Sequence, residues 1–435
     1  MENILVIGGG LMGSSVTWKL AEEGEKVLLL EQQGENYDYG SSFGAARIAR
    51  SLGPKKDIFS FVHNRTVTEV KQLIAFLNED ASEDTHKMEE IYSTSPVSYL
   101  YSKDQYSAMK KLNYKKQRKD FRRGSDDSAF RKFGVTLKDN QVLVREFKQY
   151  SGTINPQALI QKLRLGIEKK GGRINFQQKV LRLVKKEGYF EAEILNLKSN
   201  KSTIIKTKKV IVAAGPYTIE VLKDFAPYFN RVITPKRVLL GYFKISDKRY
   251  KELSDKEIKS ILAAQPMFSQ LGKEYFSMIE KLEENSSPIF KAGFHQARRN
   301  IIDLDKVWTL PPRKKEIKKI KKQFRKQLEM LEIFLDKKDI EVVDAYNCVY
   351  SVTRPNVPLV TNIFNRYGSL DKDIVVIGGM SGVGAKGCLG YGILGANLIL
   401  GKSGESSKVY RKAVRAFGNP SVRLYTRRIR RGRLF

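Results

Sequence analysis

Three glycines and one acid carry the most legible chemistry in this chain. Gly8-Gly9-Gly10-Leu11-Met12-Gly13 follows the apolar run Ile4-Leu5-Val6-Ile7, and Glu31 closes a second apolar run eighteen residues after Gly13. This order predicts a strand, a tight turn, a helix over about Met12 to Glu23 and a second strand. Together the parts can grip a dinucleotide. Gly8 permits the turn, Gly10 lets the backbone approach a pyrophosphate, and Gly13 lets helix close on strand. The helix offers its free N–H groups, from Leu11 and Met12 onward, and its positive dipole end to the phosphates. Glu31, with Gln32 after it, stands where a carboxylate can accept from both ribose hydroxyls. No second complete triplet of this kind occurs. A separate nicotinamide domain is therefore not expected, and the single site points to FAD.

Further along, four segments hold groups that could act on a bound molecule. Arg47 and Arg50 end the run Gly40-Ser41-Ser42-Phe43-Gly44-Ala45-Ala46-Arg47-Ile48-Ala49-Arg50. A guanidinium fork suits a carboxylate, although two loop arginines alone read more simply as surface charge. Lys291-Ala292-Gly293-Phe294-His295 places a lysine and a histidine in an apolar strand, where an isolated histidine is ordinarily a satisfied core residue. In Asn347-Cys348-Val349-Tyr350-Ser351 the two-residue period of a strand puts Cys348 and Tyr350 on one face. Cys348 by itself reads as a small buried hydrophobe. Gly379-Met380-Ser381-Gly382-Val383-Gly384-Ala385-Lys386 resembles a phosphate loop only in part. Ala385 precedes the lysine and Gly387 follows it, so a nucleoside-triphosphate site is excluded. A lysine buried there needs an anionic partner.

These segments resemble the FAD-dependent amine oxidases of the D-amino-acid oxidase superfamily, in particular the monomeric sarcosine oxidase and N-methyltryptophan oxidase branch. The resemblance covers nearly the whole chain outside residues 80–150 and the basic tail. It implies that Arg47 lies by the flavin ring and that Arg50 holds a substrate carboxylate. It also implies His295 over the active site with Lys291 close by, and Tyr350 walling the substrate cavity. Cys348 becomes a candidate for a thioether link to the flavin. Lys386 stands against the flavin, tied to oxygen activation, and helps Arg50 hold the carboxylate. Ser41, Ser42, Val180, Ala214, Gly215, Gly379, Ser381, Gly382 and Gly384 join the glycine turn as cofactor-binding positions. Phe43 and Val383 replace histidines of close relatives and make the flavin surroundings more apolar. Arg354-Pro355-Asn356 replaces a Thr-Pro-Asp run. The implied reaction takes a hydride from the α-carbon of a secondary or N-methyl amine, an amino acid by expectation. The imine then hydrolyses, and O2 reoxidises the flavin to hydrogen peroxide. Two alternatives stand beside it: a flavin dehydrogenase serving an electron carrier, and a flavoprotein-fold binding module for nucleic acid or another polyanion.

The elements that must position these residues follow an α/β pattern. We expect a doubly wound FAD-binding domain from residues 1–90, 150–218 and 345–402, and an α+β substrate domain on an antiparallel sheet from 219–344. Residues 91–149 read as an insertion and 403–435 as a basic tail. Apolar spacing predicts helices over 58–78, from Pro156, over 316–335 and over 391–400. Strands are expected near 174–176, 180–184, 189–195, 203–207, 210–214, 238–245, 290–294 and 373–378. The formal charge of +32 is concentrated in Lys110–Arg123, Arg313–Lys326 and Arg423–Arg433. Such fields attract polyanions as readily as they coat an ordinary solvated surface. Two cysteines and three scattered histidines predict neither a disulfide framework nor a metal. With no apolar run of membrane-spanning length and no leader ahead of Ile4, a cytoplasmic or nucleic-acid-rich location is expected rather than secretion.

Overall fold

The computed structural model describes residues 1–36, 39–50, 56–79, 85–111, 121–354, 356–364 and 370–418. The N-terminal apolar run forms strand Glu2–Ile7, in which Ile4, Leu5, Val6 and Ile7 are all buried. Four consecutive buried side chains require cover on both faces, the condition of a parallel sheet inside an α/β layer. Each contributes about 1.5–3 kcal/mol by leaving water. The strand lies parallel between Lys201–Val212 and Val27–Leu30. Arg173–Asn175 extends the sheet beyond Val27–Leu30, and Leu370–Gly378 joins the far end of Lys201–Val212. Antiparallel additions come from Gln178–Lys186 with Tyr189–Asn196 and from Leu359–Phe364. Helices Leu11–Glu22 and Cys388–Leu400 cover one face, sharing a core that includes Val16, Leu20, Leu394 and Ile399. The opposite face packs on Phe190, Leu222 and Phe229. Asn155 caps helix Pro156–Lys169 by accepting from the Ala158 amide at 3.1 Å.

A second sheet holds nine strands among the described residues. Its spine is the antiparallel pair Ile233–Ile245 and Ile340–Thr353, which runs from Ile233 opposite Thr353 to Ile245 opposite Ile340. Ile289–Phe294, Tyr275–Lys281 and Met267–Ser269 follow in order. The next three strands, Val97–Ser102, Gln141–Glu146 and Phe121–Arg123, come from the segment expected to be an insertion. They hydrogen-bond directly into this sheet. A small third sheet pairs Gly152–Ile154 antiparallel with both Arg47–Ala49 and Tyr92–Thr94.

Several expected elements differ in extent. The separate strands at 203–207 and 210–214 are one, Lys201–Val212, whose first half pairs with Tyr189–Asn196 and whose second half pairs with Leu370–Gly378. The helix expected over 316–335 runs Lys314–Met330. Leu331 and Leu335 prolong its apolar spacing and are buried in the same core, but Glu332 turns the chain with φ +61°. The apolar helix expected over 391–400 begins at Cys388. Of the basic clusters, residues 112–120 and 419–435 lie outside the described residues. Arg122 and Arg123 are exposed, as are Lys318, Lys319 and Lys322 on the outer face of helix Lys314–Met330. No described helix is long and apolar enough to cross a membrane.

His63, on helix Lys56–Asn78, is 1% exposed, and neither ring nitrogen has a hydrogen-bond partner among the described residues. Burial, with the charges of Lys386 and Lys148, pushes its pKa from 6.5 down to about 3. Between those values the unfolded chain binds a proton that the folded chain refuses. The stability this residue supports is therefore present above pH 6.5 and is lost as pH falls through the window. His63→Leu should flatten the acid limb of the stability curve by about 1.4 kcal/mol per pH unit. Urea unfolding at several acidic pH values reads this directly. Equal slopes in the two proteins would contradict it.

Candidate active site

The glycine turn is built as its spacing requires. Gly8 has φ +101°, and a Cβ there would meet the Ala213 carbonyl oxygen at 2.7 Å. At Gly13 a Cβ would lie 1.7 Å from the Gly8 carbonyl oxygen, so only glycine lets the helix start this close to the turn. Glu31 is 4% exposed and accepts from the Gly9 amide at 2.6 Å and the Gln33 amide at 2.8 Å. Each carboxylate oxygen keeps further acceptor capacity for a hydroxyl. Burial pushes the Glu31 carboxyl up, and the Gln33 and Gly9 amides pull it back. The Ser42 hydroxyl accepts from the Leu11 amide at 3.2 Å and so braces the helix start against the arginine loop.

A cavity of about 760 Å³ opens over this turn. Gly8, Gly10, Leu11, Met12, Glu31, Gln32, Ser41, Ser42, Val180, Ala214 and Gly215 line it. At its far end it is bordered by Arg47, Tyr350, Gly382, Gly384 and Ala385. Its size lies in the range of large organic ligands. The donor set suits a dinucleotide: helix N–H groups for pyrophosphate at one point, and an acid for a ribose beside it. FAD fits these residues.

A second, smaller cavity of about 90 Å³ meets the first, sharing Arg47, Tyr350, Gly382 and Ala385 with it. Arg50, Lys291, His295, Cys348 and Lys386 line it, with Phe268, Phe276, Met278 and Leu240 as apolar walls. The strand Ile340–Thr353 thus brings Cys348 and Tyr350 to the junction, while the turn at 379–386 brings Lys386 from the other side. Arg50 packs over the Phe268 ring at 3.9 Å and Lys386 over Phe59 at 5.7 Å. Neither cation is ion-paired to a carboxylate among the described residues. Burial first, then the Arg50 charge, pushes the Lys386 ammonium down to about 7, and Glu146 partly offsets this. Burial, with Arg298, Arg50 and Lys386, lowers His295 to about 3, which keeps it neutral at physiological pH. Burial raises the Cys348 thiol, and the charges of Arg47 and Lys291 draw it back.

Three expected cofactor positions do not line either cavity. Gly13 stands behind the turn, and Gly379 and Ser381 shape the second loop from beneath. Ser381 holds a left-handed backbone, φ +51°. It is fixed there because its amide donates to the Ser351 carbonyl at 2.8 Å and its hydroxyl accepts from the Thr353 amide at 3.1 Å. Gly382 beside it has φ +84°, and a Cβ would lie 2.5 Å from both the His295 and Tyr350 rings. This turn therefore presses flat onto the two aromatic groups.

Some residues at the site carry no sequence signal of their own. Arg298 donates toward His295 Nε2 at 3.3 Å, to the Ser381 carbonyl at 3.2 Å and to Asn356 Oδ1 at 2.6 Å. It ties the substrate sheet to the 379–384 turn. Tyr346 receives the Gly40 amide at 2.7 Å and donates to its carbonyl at 2.9 Å. Rings of Phe43, Tyr346, Trp308 and Tyr39 follow one another at centroid distances of 5.5, 6.2 and 5.8 Å, and Trp308 and Tyr39 line the large cavity. Glu280 forms an ion pair with Lys291. Nothing in the sequence pattern singled out Glu280, which stands at a register shift between Ile279 and Lys281.

Comparison with known proteins agrees with this geometry. Residues 3–398 match the family described as FAD dependent oxidoreductase. A protein of Arabidopsis thaliana named probable sarcosine oxidase is 24% identical over 393 residues, covering 88% of this chain and 84% of that protein. The peroxisomal sarcosine oxidase of Homo sapiens is 24% identical over 220 residues, covering 50% and 52% respectively. Among solved structures, L-proline dehydrogenase from P. horikoshii superposes with a TM-score of 0.68 at 16% identity, over 100% of this chain and 99% of that one. NikD, described as an unusual amino acid oxidase, gives a TM-score of 0.66 at 16% identity, over 95% and 98%.

Proposed function

The chain belongs to the FAD dependent oxidoreductase family, and from that premise we propose that it oxidises small secondary or N-methyl amino acids. Support for an amine or amino-acid substrate comes from the family. The finer assignment rests on one observation: Arg50 and Lys386, two cations that form no ion pair with a carboxylate among the described residues, face one small apolar-walled cavity that opens onto the dinucleotide cavity. A carboxylate supplies the missing anion, and a volume of about 90 Å³ suits a small amino acid better than one with an aromatic side chain.

When bound, FAD supplies the two-electron acceptor for the substrate's α-carbon hydride, and O2 takes the electrons on to hydrogen peroxide. The protein's own part is orientation and electrostatics. Arg50 and Lys386 hold the carboxylate between them. Phe268, Phe276 and Met278 exclude water from the amine end. Neutral His295 and Tyr350, pressed by the 379–384 turn, fix the wall opposite. Arg47, bordering both cavities, places a permanent cation where the two molecules meet. Glu31 and the amides of residues 8–13 hold the adenosine half. No strong general base is required if the amine binds neutral.

A panel of primary, secondary and N-methyl amino acids, each assayed for peroxide and for oxygen uptake, tests the proposal. We expect turnover with small secondary or N-methyl acids and none with the corresponding amines that lack a carboxylate. Turnover indifferent to the carboxylate would remove Arg50 and Lys386 from the assigned role. Amine oxidation with no peroxide would instead mark a dehydrogenase serving another acceptor.

A further inference from the structure

We propose that Glu280 is a positioning residue whose carboxylate pins the Lys291 ammonium against the Gly40–Arg50 loop and so sets the charge at the flavin end of the small cavity. This rests on the flavin reading above.

Lys291 lies in strand Ile289–Phe294 and is 1% exposed. The neighbouring strand Tyr275–Lys281 pairs Met278 with Lys291 and Ile279 with Phe290, but then Lys281 with Ile289. Glu280 is thus the extra residue of a bulge. A bulge re-aims one side chain out of the normal alternation. Here it turns an acid toward the lysine on the adjoining strand. Glu280 Oε2 takes the Lys291 ammonium, and Oε1 accepts from the Ala45 amide at 2.7 Å. Gly44, with φ +103°, marks the meeting point. A Cβ there would lie 3.0 Å from Glu280 Oε1, 3.2 Å from Arg47 Nη1 and 3.4 Å from Lys291 Nζ.

Two buried cations this close repel each other, and the stronger acid of the two, the lysine ammonium, is the one able to release its proton. The groups facing Lys291 are Arg47 from the third sheet, Glu280 from its own sheet neighbour, Tyr242 from strand Ile233–Ile245 and Cys348 from strand Ile340–Thr353. Burial and then Arg47 push the ammonium down to about 7, while Glu280 pulls it up. Glu280 is the only carboxylate in that set. Its removal leaves the lysine beside Arg47 with no anion to hold the proton. Because Lys291 and Arg47 both line the small cavity, and Arg47 the large one too, a ligand at the junction senses the change.

The test uses the full chain loaded with FAD, as wild type, Glu280→Gln, Lys291→Met and the double variant. The visible flavin spectrum is titrated against pH. Wild type should show a spectral step near neutrality that Lys291→Met abolishes. In Glu280→Gln the step should move down by about 1–3 pH units, the range for losing an opposite charge at contact. A wild type without that step, or a step unmoved in Glu280→Gln, overturns the proposal. Thermal melting supplies a second reading that needs no colour. Melted at a pH below the shifted step, where Lys291 is still charged, Glu280→Gln should lie below wild type, and adding Lys291→Met should recover part of the loss by removing the stranded cation. A double variant no more stable than Glu280→Gln overturns the pairing even if the single variant folds poorly. A wild type that binds no flavin would instead overturn the flavin reading, while the thermal cycle still judges the pair.

Discussion

Lys386→Met will lower kcat/KM for an amino-acid substrate by about 100- to 1000-fold, while the protein stays folded and yellow. The side chain stands in the small cavity with Arg50 and has no carboxylate partner among the described residues. Breaking one side of a buried ion pair costs about 3–5 kcal/mol, and Arg50 remains to recover part of it. A loss of about 3–4 kcal/mol corresponds to that fold-change. Methionine keeps the length and volume while removing a desolvated charge, so melting temperature should hold or rise. The loss should be confined to substrates with a free carboxylate, and a methyl ester should be turned over almost equally by both proteins. The pH dependence has a definite sign. Lys386 in the free enzyme is charged below about 7 and neutral above it. Carboxylate binding should therefore weaken as pH rises through that value in wild type and stay flat in Lys386→Met. Steady-state kinetics on the acid and its ester, at several pH values, checks all of this. An equal loss on both substrates would place the lysine outside carboxylate binding.

Gly13→Val should give a protein that folds but is purified without colour, with FAD affinity reduced by more than about 100-fold. An added Cβ would stand 1.7 Å from the Gly8 carbonyl oxygen, a distance no small rotation relieves. Either the helix start or the turn must move, and both aim N–H groups at the pyrophosphate. Losing several charge-assisted hydrogen bonds of about 1.5–3 kcal/mol each accounts for the magnitude. Gly34 has open space around its Cα, with nothing within 4 Å of a Cβ, so Gly34→Ala is the matched control. Retained FAD in Gly13→Val, measured by absorbance after gel filtration, would mean that the cofactor is held elsewhere.

How much of this was legible in the sequence depends on how local each feature is. The dinucleotide grip spans residues 4–31, and its strand, turn, helix and acid are contiguous, so spacing alone defined it. The strand Ile340–Thr353 placed Cys348 and Tyr350 on one face by period alone. The second sheet was less readable because its pairings are distant. Val97–Ser102 lies parallel to Met267–Ser269 and antiparallel to Gln141–Glu146, and nothing in its alternation names those neighbours. A segment read as an insertion consequently supplies part of the sheet that carries Phe268, Phe276 and Met278 to the small cavity. The helix ending at Met330 was over-extended because Leu331 and Leu335 keep helical spacing while packing from a loop. Glu280 was invisible for a sharper reason. Its direction is set by a bulge and its partner Lys291 is on the next strand, so only the register brings them together.

The identity of the two junction groups, Arg50 and Lys386, as the carboxylate clamp beside a bound flavin is most directly tested by anaerobic bleaching. The purified yellow protein, freed of oxygen, is mixed with a small N-methyl amino acid and, separately, with its methyl ester. The acid should bleach the flavin rapidly and the ester far more slowly, with colour returning when air is admitted. If acid and ester bleach it alike, or neither does, then the small cavity is not the amino-acid site described here.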